Sequence, residues 1–183
     1  MVRMEKVSHH ALDGKGIRYG NAVFVLLSVC AVFAAWGILR MCADAVVVPV
    51  FCRIPAEVAS RYYNAPLQKP ELLFSAHGMD FKVARSCAAT DFCSMVTGLL
   101  TYLCLRRRSA LLALAALPLA WGITLTANTI RLIFLVPATA WMYNHLPEKT
   151  YSACHQAIGT VVFLTGFILL WEGVRHVARN TSR

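Results

Sequence analysis

The sequence predicts an all-α polytopic membrane protein, a helical bundle of four full spans plus one or two partial or interfacial helices. Of its 183 residues, 58% are hydrophobic and only 15% are charged, whereas a soluble domain is about half apolar and about a quarter charged. The net charge of +9 comes from cations that flank apolar segments, as in membrane proteins. A nucleic-acid-binding protein gathers its cations on one soluble face, so no nucleic-acid partner is predicted.

Four apolar stretches approach the ~20 residues that a helix needs to cross the hydrocarbon core. Three of them carry no charged residue, and the second contains only Asp91. We therefore predict a single integral membrane domain, residues 1–183, with the lipid bilayer as its surroundings. Its predicted spans are residues 21–39, 87–105, 110–128 and 155–171.

Two further segments are predicted to lie outside the spans. Residues 40–86 have scattered charges and several prolines, which indicates an ordered outer loop with a short amphipathic helix or a hairpin. Residues 132–146 are apolar but short and contain Pro137, so we predict an interfacial helix or a partial span. With the N-terminus inside, every short basic segment is cytoplasmic, as the positive-inside rule requires. Cys87, Arg131 and His155 then share the outer membrane surface.

Cys87 is the first candidate functional residue. A cysteine acts as a nucleophile only as the thiolate, which a helix N-terminus and a nearby cation favour. Cys87 begins a predicted span and Arg85 lies just before it, although packing is the commoner role of a membrane cysteine. Cys154 is the second-choice nucleophile. Its neighbour His155 points about 100° away on a helix, so a catalytic pair is more easily built from separate helices.

His155 opens the last predicted span. Its imidazole can take the thiol proton and later protonate a leaving amine; the alternative is a histidine at the polar interface without a catalytic role. His77 and His145 remain alternative bases, whereas His176 falls on the predicted cytoplasmic side.

Arg131 is a charge within the apolar stretch "TANTIRLIFL", residues 126–135. An arginine at the bilayer centre costs roughly 2.5–3.5 kcal/mol on insertion scales, whereas near the surface it can snorkel. A functional Arg131 would hold a substrate carboxylate or stabilise an oxyanion. Asn128 lies three residues earlier on the same helical face, where it can orient the guanidinium or donate a second hydrogen bond.

Asp91 lies four residues after Cys87 and shares its face if the helix has already started. It can orient His155 or neutralise an arginine, and a structural salt bridge with Arg131 is an equal alternative. Nothing in the sequence requires a metal or an organic cofactor.

Three local patterns, "RSCAATDF", "ANTIRL" and "HQAIGTVVF", occur in this order. Together they resemble the exosortase/archaeosortase family of membrane cysteine transpeptidases, and the short length is most similar to exosortase K. The resemblance implies catalytic roles for Cys87, Arg131 and His155, with Asn128 and Gly159 completing the motifs. Many members have Ser-Gly or Ala-Gly after the cysteine where this chain has Ala88–Ala89, a change that affects how closely a substrate backbone approaches the thiol.

The family resemblance implies an enzyme of the bacterial inner membrane with its active site at the outer, periplasmic face. Such an enzyme cleaves the C-terminal tail of exported proteins, often at a Pro-Glu-Pro-like motif, through a cysteine thioester. Transfer to an amine or a lipid-linked acceptor makes it a sorting transpeptidase, and transfer to water makes it a protease. The alternatives are a non-enzymatic membrane assembly protein, in which Arg131 and Asp91 pair structurally, and a small transporter with a polar path past Asp91.

Overall fold

The computed structural model describes residues 13–107 and 110–180. About 80% of it is helical, and four helices within these residues are long and apolar enough to span a membrane. The chain is an all-α polytopic membrane protein, as predicted. The N-terminal cations Arg3 and Lys6, and Arg108 of the triple-arginine segment, lie outside the described residues. In chain order the elements are α1 (Asp13–Met41), α2 (Asp44–Phe51), α3 (Arg53–Tyr62), β1 (Leu73–Ala76), β2 (Met79–Lys82), a 3₁₀ turn (Arg85–Cys87), α4 (Thr90–Arg107), α5 (Ala110–His145) and α6 (Glu148–Asn180).

Helix α4 is at the centre of the bundle and packs against α1, α5 and α6. The two helices lie close together at Gly98, where a Cβ atom would lie 2.2 Å from Val32 Cγ2 and 3.1 Å from the Ser28 carbonyl oxygen. No larger residue fits between the two backbones without moving them apart. The glycine in the middle of α4 therefore sets the spacing of the first two spans.

The start of α4 differs from the prediction that a helix begins at Cys87. Cys87 instead ends the 3₁₀ turn, and α4 begins at Thr90. Between them Ala89 has a φ of 54°, in the left-handed region that stops a right-handed helix from running through. Asp91 consequently does not share a helical face with Cys87.

The prediction of a separate helix at residues 132–146 is wrong, because α5 continues through them. Its 36 residues extend roughly 54 Å at 1.5 Å per residue, well beyond the ~30 Å of the hydrocarbon core. Only Leu146 and Pro147 separate α5 from α6. The two helices form an antiparallel hairpin, whose closed end we call the hairpin tip.

A long-range hydrogen bond explains why α5 continues through Pro137. Proline has no amide hydrogen, so the carbonyl four residues earlier, that of Ile133, loses its helical partner. The Tyr63 hydroxyl, at the end of α3, donates a hydrogen bond to the Ile133 oxygen. A tyrosine 70 positions away thus satisfies the carbonyl that the proline leaves unpaired.

Residues 44–83 form a compact unit, which we call the cap, at the end of the bundle where α1 terminates. The sequence allowed a short amphipathic helix or a hairpin here, and both are present. Helix α3 buries one face of small residues against α5: Pro55, Ala56, Ala59 and Ser60. Strands β1 and β2 pair antiparallel through a two-residue turn of His77 and Gly78, whose φ angles of 51° and 75° match the hairpin turn that suits twisted strands.

Two apolar cores are found among the described residues. The first joins the cap to the C-terminal half of α5 and includes Phe51, Cys52, Phe74, Leu132 and Val136, with Cys87 packed against it. The second lies between α4, α5 and α6 and includes Phe92, Val96, Leu100, Ala116 and Ala120. Membrane helices and cap are therefore held by separate cores on the two sides of the Cys87 turn.

The hydrogen bond across Pro137 makes Tyr63→Phe a sharp stability test. Removing the hydroxyl leaves the Ile133 carbonyl without a partner, and we expect a loss of about 1–3 kcal/mol, measured as a lower unfolding temperature of the purified chain in detergent. Tyr62→Phe is the matched control, because the neighbouring Tyr62 is exposed and should change stability by much less. Equal unfolding temperatures for the two variants would contradict this role of Tyr63.

Candidate active site at the junction of cap and bundle

Asn128 ties the Cys87 turn to α5. Its side chain is completely buried, and its amide nitrogen donates to the Cys87 carbonyl at 2.6 Å and to the Phe51 carbonyl at 3.4 Å. The Phe51 oxygen needs this donor because Pro55, four residues later, has no amide hydrogen to offer. Asn128 therefore fixes the cysteine-bearing turn and the end of α2 to the same point on α5.

Arg131 lies one helical turn after Asn128 and is only 7% exposed. Its guanidinium packs flat on α6: a Cβ atom added at Gly159 would lie 2.8 Å from the Arg131 Nε atom and 3.1 Å from its Cζ atom. On the same helix the Phe163 ring lies 5.2 Å from the Cζ atom, close enough for a cation–π interaction. Gly159 is thus the residue that gives the guanidinium its place between α5 and α6.

The guanidinium is not fully paired. Within the described residues, the Arg131 Nε atom is buried without a hydrogen-bond partner, and so is the Asn128 Oδ1 atom. Burying a charged donor without a partner costs free energy. The Arg131 Nε–H group is therefore a buried charged donor with unused hydrogen-bonding capacity.

Arg131 faces a cavity of about 510 Å³ between the end of α1, the start of α4, and α6. Its walls carry charged and polar side chains beside Phe92 and Phe163, and it lies at the junction of cap and bundle. The lining residues are Arg40, Arg85, Ser86, Ala89, Thr90, Asp91, Phe92, Arg131, Gln156, Gly159, Thr160 and Phe163. A cavity of this size can hold a peptide segment or a comparable polar group.

Cys87 is next to this cavity in sequence but is not one of its lining residues. Ser86 and Ala89, which flank it closely, line the cavity, whereas Cys87 is half-buried against the cap core. The sequence suggested that Arg85 is a cation available to the Cys87 thiol, but in the structure it has other partners. Its guanidinium donates to the Leu39, Arg40 and Cys42 carbonyls at the end of α1 and pairs with Asp44 at 2.5 Å. Arg85 therefore anchors the cysteine turn to α1.

Cys52 is a neighbour of Cys87 that sequence reasoning did not identify. It is completely buried at the junction of α2 and α3, and its sulfur lies 3.5 Å from the Ala84 carbonyl oxygen. That same oxygen accepts the Cys87 amide hydrogen at 2.8 Å. Burial, together with a smaller effect of the nearby Cys87, raises the pKa of the Cys52 thiol to about 12, and Arg131 opposes the rise. Since 34 residues separate the two cysteines, no spacing pattern connects them.

His155 lies in the first part of α6, but its side chain and that of Cys154 lie outside what the structure describes. Position 155 is one helical turn before Gly159 and therefore on the same helical face. The following residue, Gln156, lines the cavity. The backbone thus brings position 155 to the part of α6 that borders Arg131.

Asp91 lines the cavity opposite Arg131 but has its contacts on α1. Its Oδ1 atom accepts the Trp36 indole N–H at 2.9 Å and lies 3.7 Å from Arg40. Among the described ion pairs, Asp91 pairs with Arg40 rather than with Arg131. The predicted salt bridge between Asp91 and Arg131 is therefore not part of the structure.

The two alternative histidines lie away from the cavity. His77 is in the turn of the cap hairpin, with its ring 5.5 Å from that of Tyr63. His145 is at the hairpin tip, almost four helical turns or roughly 21 Å along α5 from Arg131, and its Nδ1 atom contacts the Trp141 carbonyl. Of the histidines considered in the outer segments, His155 alone is on the cavity-lining stretch of α6. The described residues contain no group of three His, Cys, Asp or Glu side chains suited to a metal ion.

A model of the transmembrane exosortases matches residues 70–172, more than half of the chain. The chain belongs to the transmembrane exosortase family. The exosortase match begins in the cap and covers the Cys87 turn, α4, α5 and most of α6, so it contains Cys87, Asp91, Asn128, Arg131 and His155. No curated protein and no solved structure matches the chain. Helices α1 to α3 of this exosortase precede the matched region.

The contact between Arg131 and Gly159 predicts the effect of one added methyl group. In Gly159→Ala the new Cβ atom would overlap the guanidinium, which must move towards the cavity, and the overpacking should cost about 1–3 kcal/mol. We expect phenylglyoxal to modify Arg131 several-fold faster, measured by peptide mass spectrometry. Gly173→Ala, on the same helix with open space around it, is the control. An unchanged modification rate in Gly159→Ala would show that the glycine does not confine the arginine.

Proposed function

We propose that this exosortase is a membrane cysteine peptidase and transpeptidase that cleaves the C-terminal tails of exported proteins and passes them to an acceptor. In this mechanism the Cys87 thiolate attacks the scissile carbonyl, and Arg131 stabilises the oxyanion that forms. His155 protonates the leaving amine and then activates the incoming nucleophile. Water as the nucleophile completes hydrolysis, and an amine or a lipid-linked acceptor completes transfer.

The buried, incompletely paired guanidinium of Arg131 is the observation that carries this proposal. An oxyanion stabiliser works best where it is fixed before the reaction and shielded from water. Arg131 meets both conditions, because Gly159 and Phe163 hold it in place and little of it is exposed. An arginine whose only task was to snorkel to the surface would keep its charged end in water.

Catalysis requires the Cys87 sulfur to reach the cavity. The 3₁₀ turn already contributes to the cavity wall, since its residues Arg85 and Ser86 line it. In our proposal the thiol moves between the cap core and the cavity by changing its staggered side-chain rotamer, while Asn128 holds the Cys87 carbonyl in place. The turn therefore stays fixed as the sulfur moves.

The distribution of cations supports an outer location for the site. Helix α4 ends in Arg106 and Arg107, and α6 carries Arg175 in its last turns, all at the end of the bundle opposite the cap. By the positive-inside rule this end is cytoplasmic. We therefore propose that cap and cavity face the periplasm from the bacterial inner membrane, where exported substrates arrive. An exosortase K assignment remains a prediction from chain length and motifs.

The two alternative functions have less support. If Arg131 had a purely structural role, we expected it to form a salt bridge with Asp91. Asp91 instead contacts Trp36 and Arg40. A transporter needs a polar path from Asp91 towards the basic end of α4. The apolar core around Phe92, Val96 and Leu100 occupies that direction.

The nucleophile is tested by Cys87→Ala. We expect this variant to insert and accumulate normally but to leave a tail-bearing reporter protein uncleaved, because the proposed thioester forms on the Cys87 sulfur. Processing is measured by the reporter's size on gels of membrane fractions. Cys93→Ala, a buried cysteine of the same core, is the matched control and should process normally. Unchanged cleavage by Cys87→Ala would overturn the assignment.

Arg131→Lys tests the oxyanion role separately. Lysine keeps the positive charge but lacks the Nε–H and the planar guanidinium that Gly159 and Phe163 confine. Loss of one oxyanion donor lowers kcat by about 10²–10³-fold, so we expect slow cleavage with reporter binding retained, measured by co-purification. A cleavage rate within a few-fold of the original would exclude Arg131 as the stabiliser.

A further inference from the structure

We propose that Cys52 and Cys87 form a reversible disulfide that removes the catalytic thiol from the exosortase site. This inference rests on the proposed function only in the role that it gives to Cys87. Both cysteines are free thiols in the structure, so the disulfide is a second covalent state of the same fold. It would make the cap, through Cys52, a redox-controlled part of the active site.

Two shared hydrogen-bond partners bring the cysteines together. The Ala84 carbonyl oxygen accepts the Cys87 amide and lies next to the Cys52 sulfur, which places this sulfur within two hydrogen-bond lengths of the Cys87 nitrogen. On the other side, the Asn128 amide contacts the carbonyls of Cys87 and of Phe51, the residue bonded to Cys52. Disulfides need Cα atoms about 4.4–6.8 Å apart, a separation that these shared contacts favour.

The packing of the Cys87 side chain also supports a pairing with Cys52. Its side chain joins the cap core that contains Cys52 and is not among the residues lining the cavity. The thiol is therefore already on the side of the turn that faces Cys52, and the proposed mechanism requires it to leave that core for the cavity. A bond to Cys52 would hold Cys87 in the core.

The chemistry requires a disulfide oxidant, such as a small organic disulfide or the disulfide of a thiol oxidoreductase. The Cys87 thiolate attacks one oxidant sulfur, forming a mixed disulfide and releasing the other sulfur as a thiol. Cys52 then loses its proton and attacks the Cys87 sulfur. The Cys52–Cys87 bond forms and the second oxidant thiol leaves, so two protein thiols are oxidised while one disulfide is reduced to two thiols.

The environments of the two thiols give them different roles. Cys52 is sealed from solvent, so an oxidant in water meets Cys87 first. Burial also keeps Cys52 protonated, which slows the second step because the thiolate is the attacking species. Arg131 favours that thiolate. Cys87 is therefore the entry point for oxidation and Cys52 the resolving cysteine.

The test uses the full chain in detergent, treated with hydroxyethyl disulfide, alkylated, digested and analysed by mass spectrometry. We expect a peptide pair joined through Cys52 and Cys87, which dithiothreitol separates. In Cys52→Ser, of nearly the same size, Cys87 should instead retain the mercaptoethanol adduct. Cys93→Ala is the control for a buried cysteine of the same core and should still give the cross-link.

Several outcomes would overturn the pairing. In the chain without substitutions, a stable mercaptoethanol adduct on Cys87 would show that Cys52 does not resolve the mixed disulfide. A cross-link from Cys87 to Cys42 or Cys93 would identify another partner. Because the readout is the mass of joined peptides, it is independent of cleavage activity. If the original chain forms the cross-link but Cys87→Ala still cleaves the reporter, the proposed function alone is rejected. If Cys87→Ala is inactive but the original chain forms no cross-link, the disulfide alone is rejected.

Discussion

The contact between the Arg131 guanidinium and the Gly159 backbone determines the arrangement of the candidate active site. It joins α5 to α6 at the level of the cavity, and it fits only because residue 159 has no side chain. One turn earlier on α5, Asn128 holds the Cys87 turn and the end of α2. Two neighbouring turns of one helix thus position the cysteine, the arginine and helix position 155, although these come from distant parts of the sequence.

The helical hairpin of α5 and α6 explains how Arg131 comes level with Gly159, one helical turn along α6 from position 155. Had residues 132–146 been a separate crossing, position 155 would lie at the opposite membrane surface. Instead α5 continues beyond Arg131 to the hairpin tip, and α6 returns by nearly the same length to Gly159. Tyr63 supports this continuity, because its hydroxyl donates to the Ile133 carbonyl that Pro137 leaves without a helical partner. A hydrogen bond in the cap therefore supports the register of two membrane helices.

The parts of the site that could be predicted from sequence are those with a local signal. Arg131 is a charge in an apolar stretch, Asn128 lies one turn before it, and Cys87 precedes a long apolar run. The continuity of α5 could not be predicted, because the partner that compensates for Pro137 is 70 residues away. The sequence contained no indication of the role of Cys52 for the same reason, because Cys52 comes next to Cys87 only when the cap folds onto α5. Arg85 was assigned to the thiol by proximity in sequence, whereas folding offers it the unpaired carbonyls at the end of α1.

Ala89 shows how a local backbone constraint affects the reactive residue. Its φ of 54° costs a non-glycine residue roughly 1–2 kcal/mol. The strain is tolerated because both sides of the turn are anchored, by Arg85 on α1 and by α4 itself. Ala89 is also one of the residues that line the cavity. The residue whose backbone separates the cysteine from α4 therefore also forms part of the cavity wall beside the Cys87 turn.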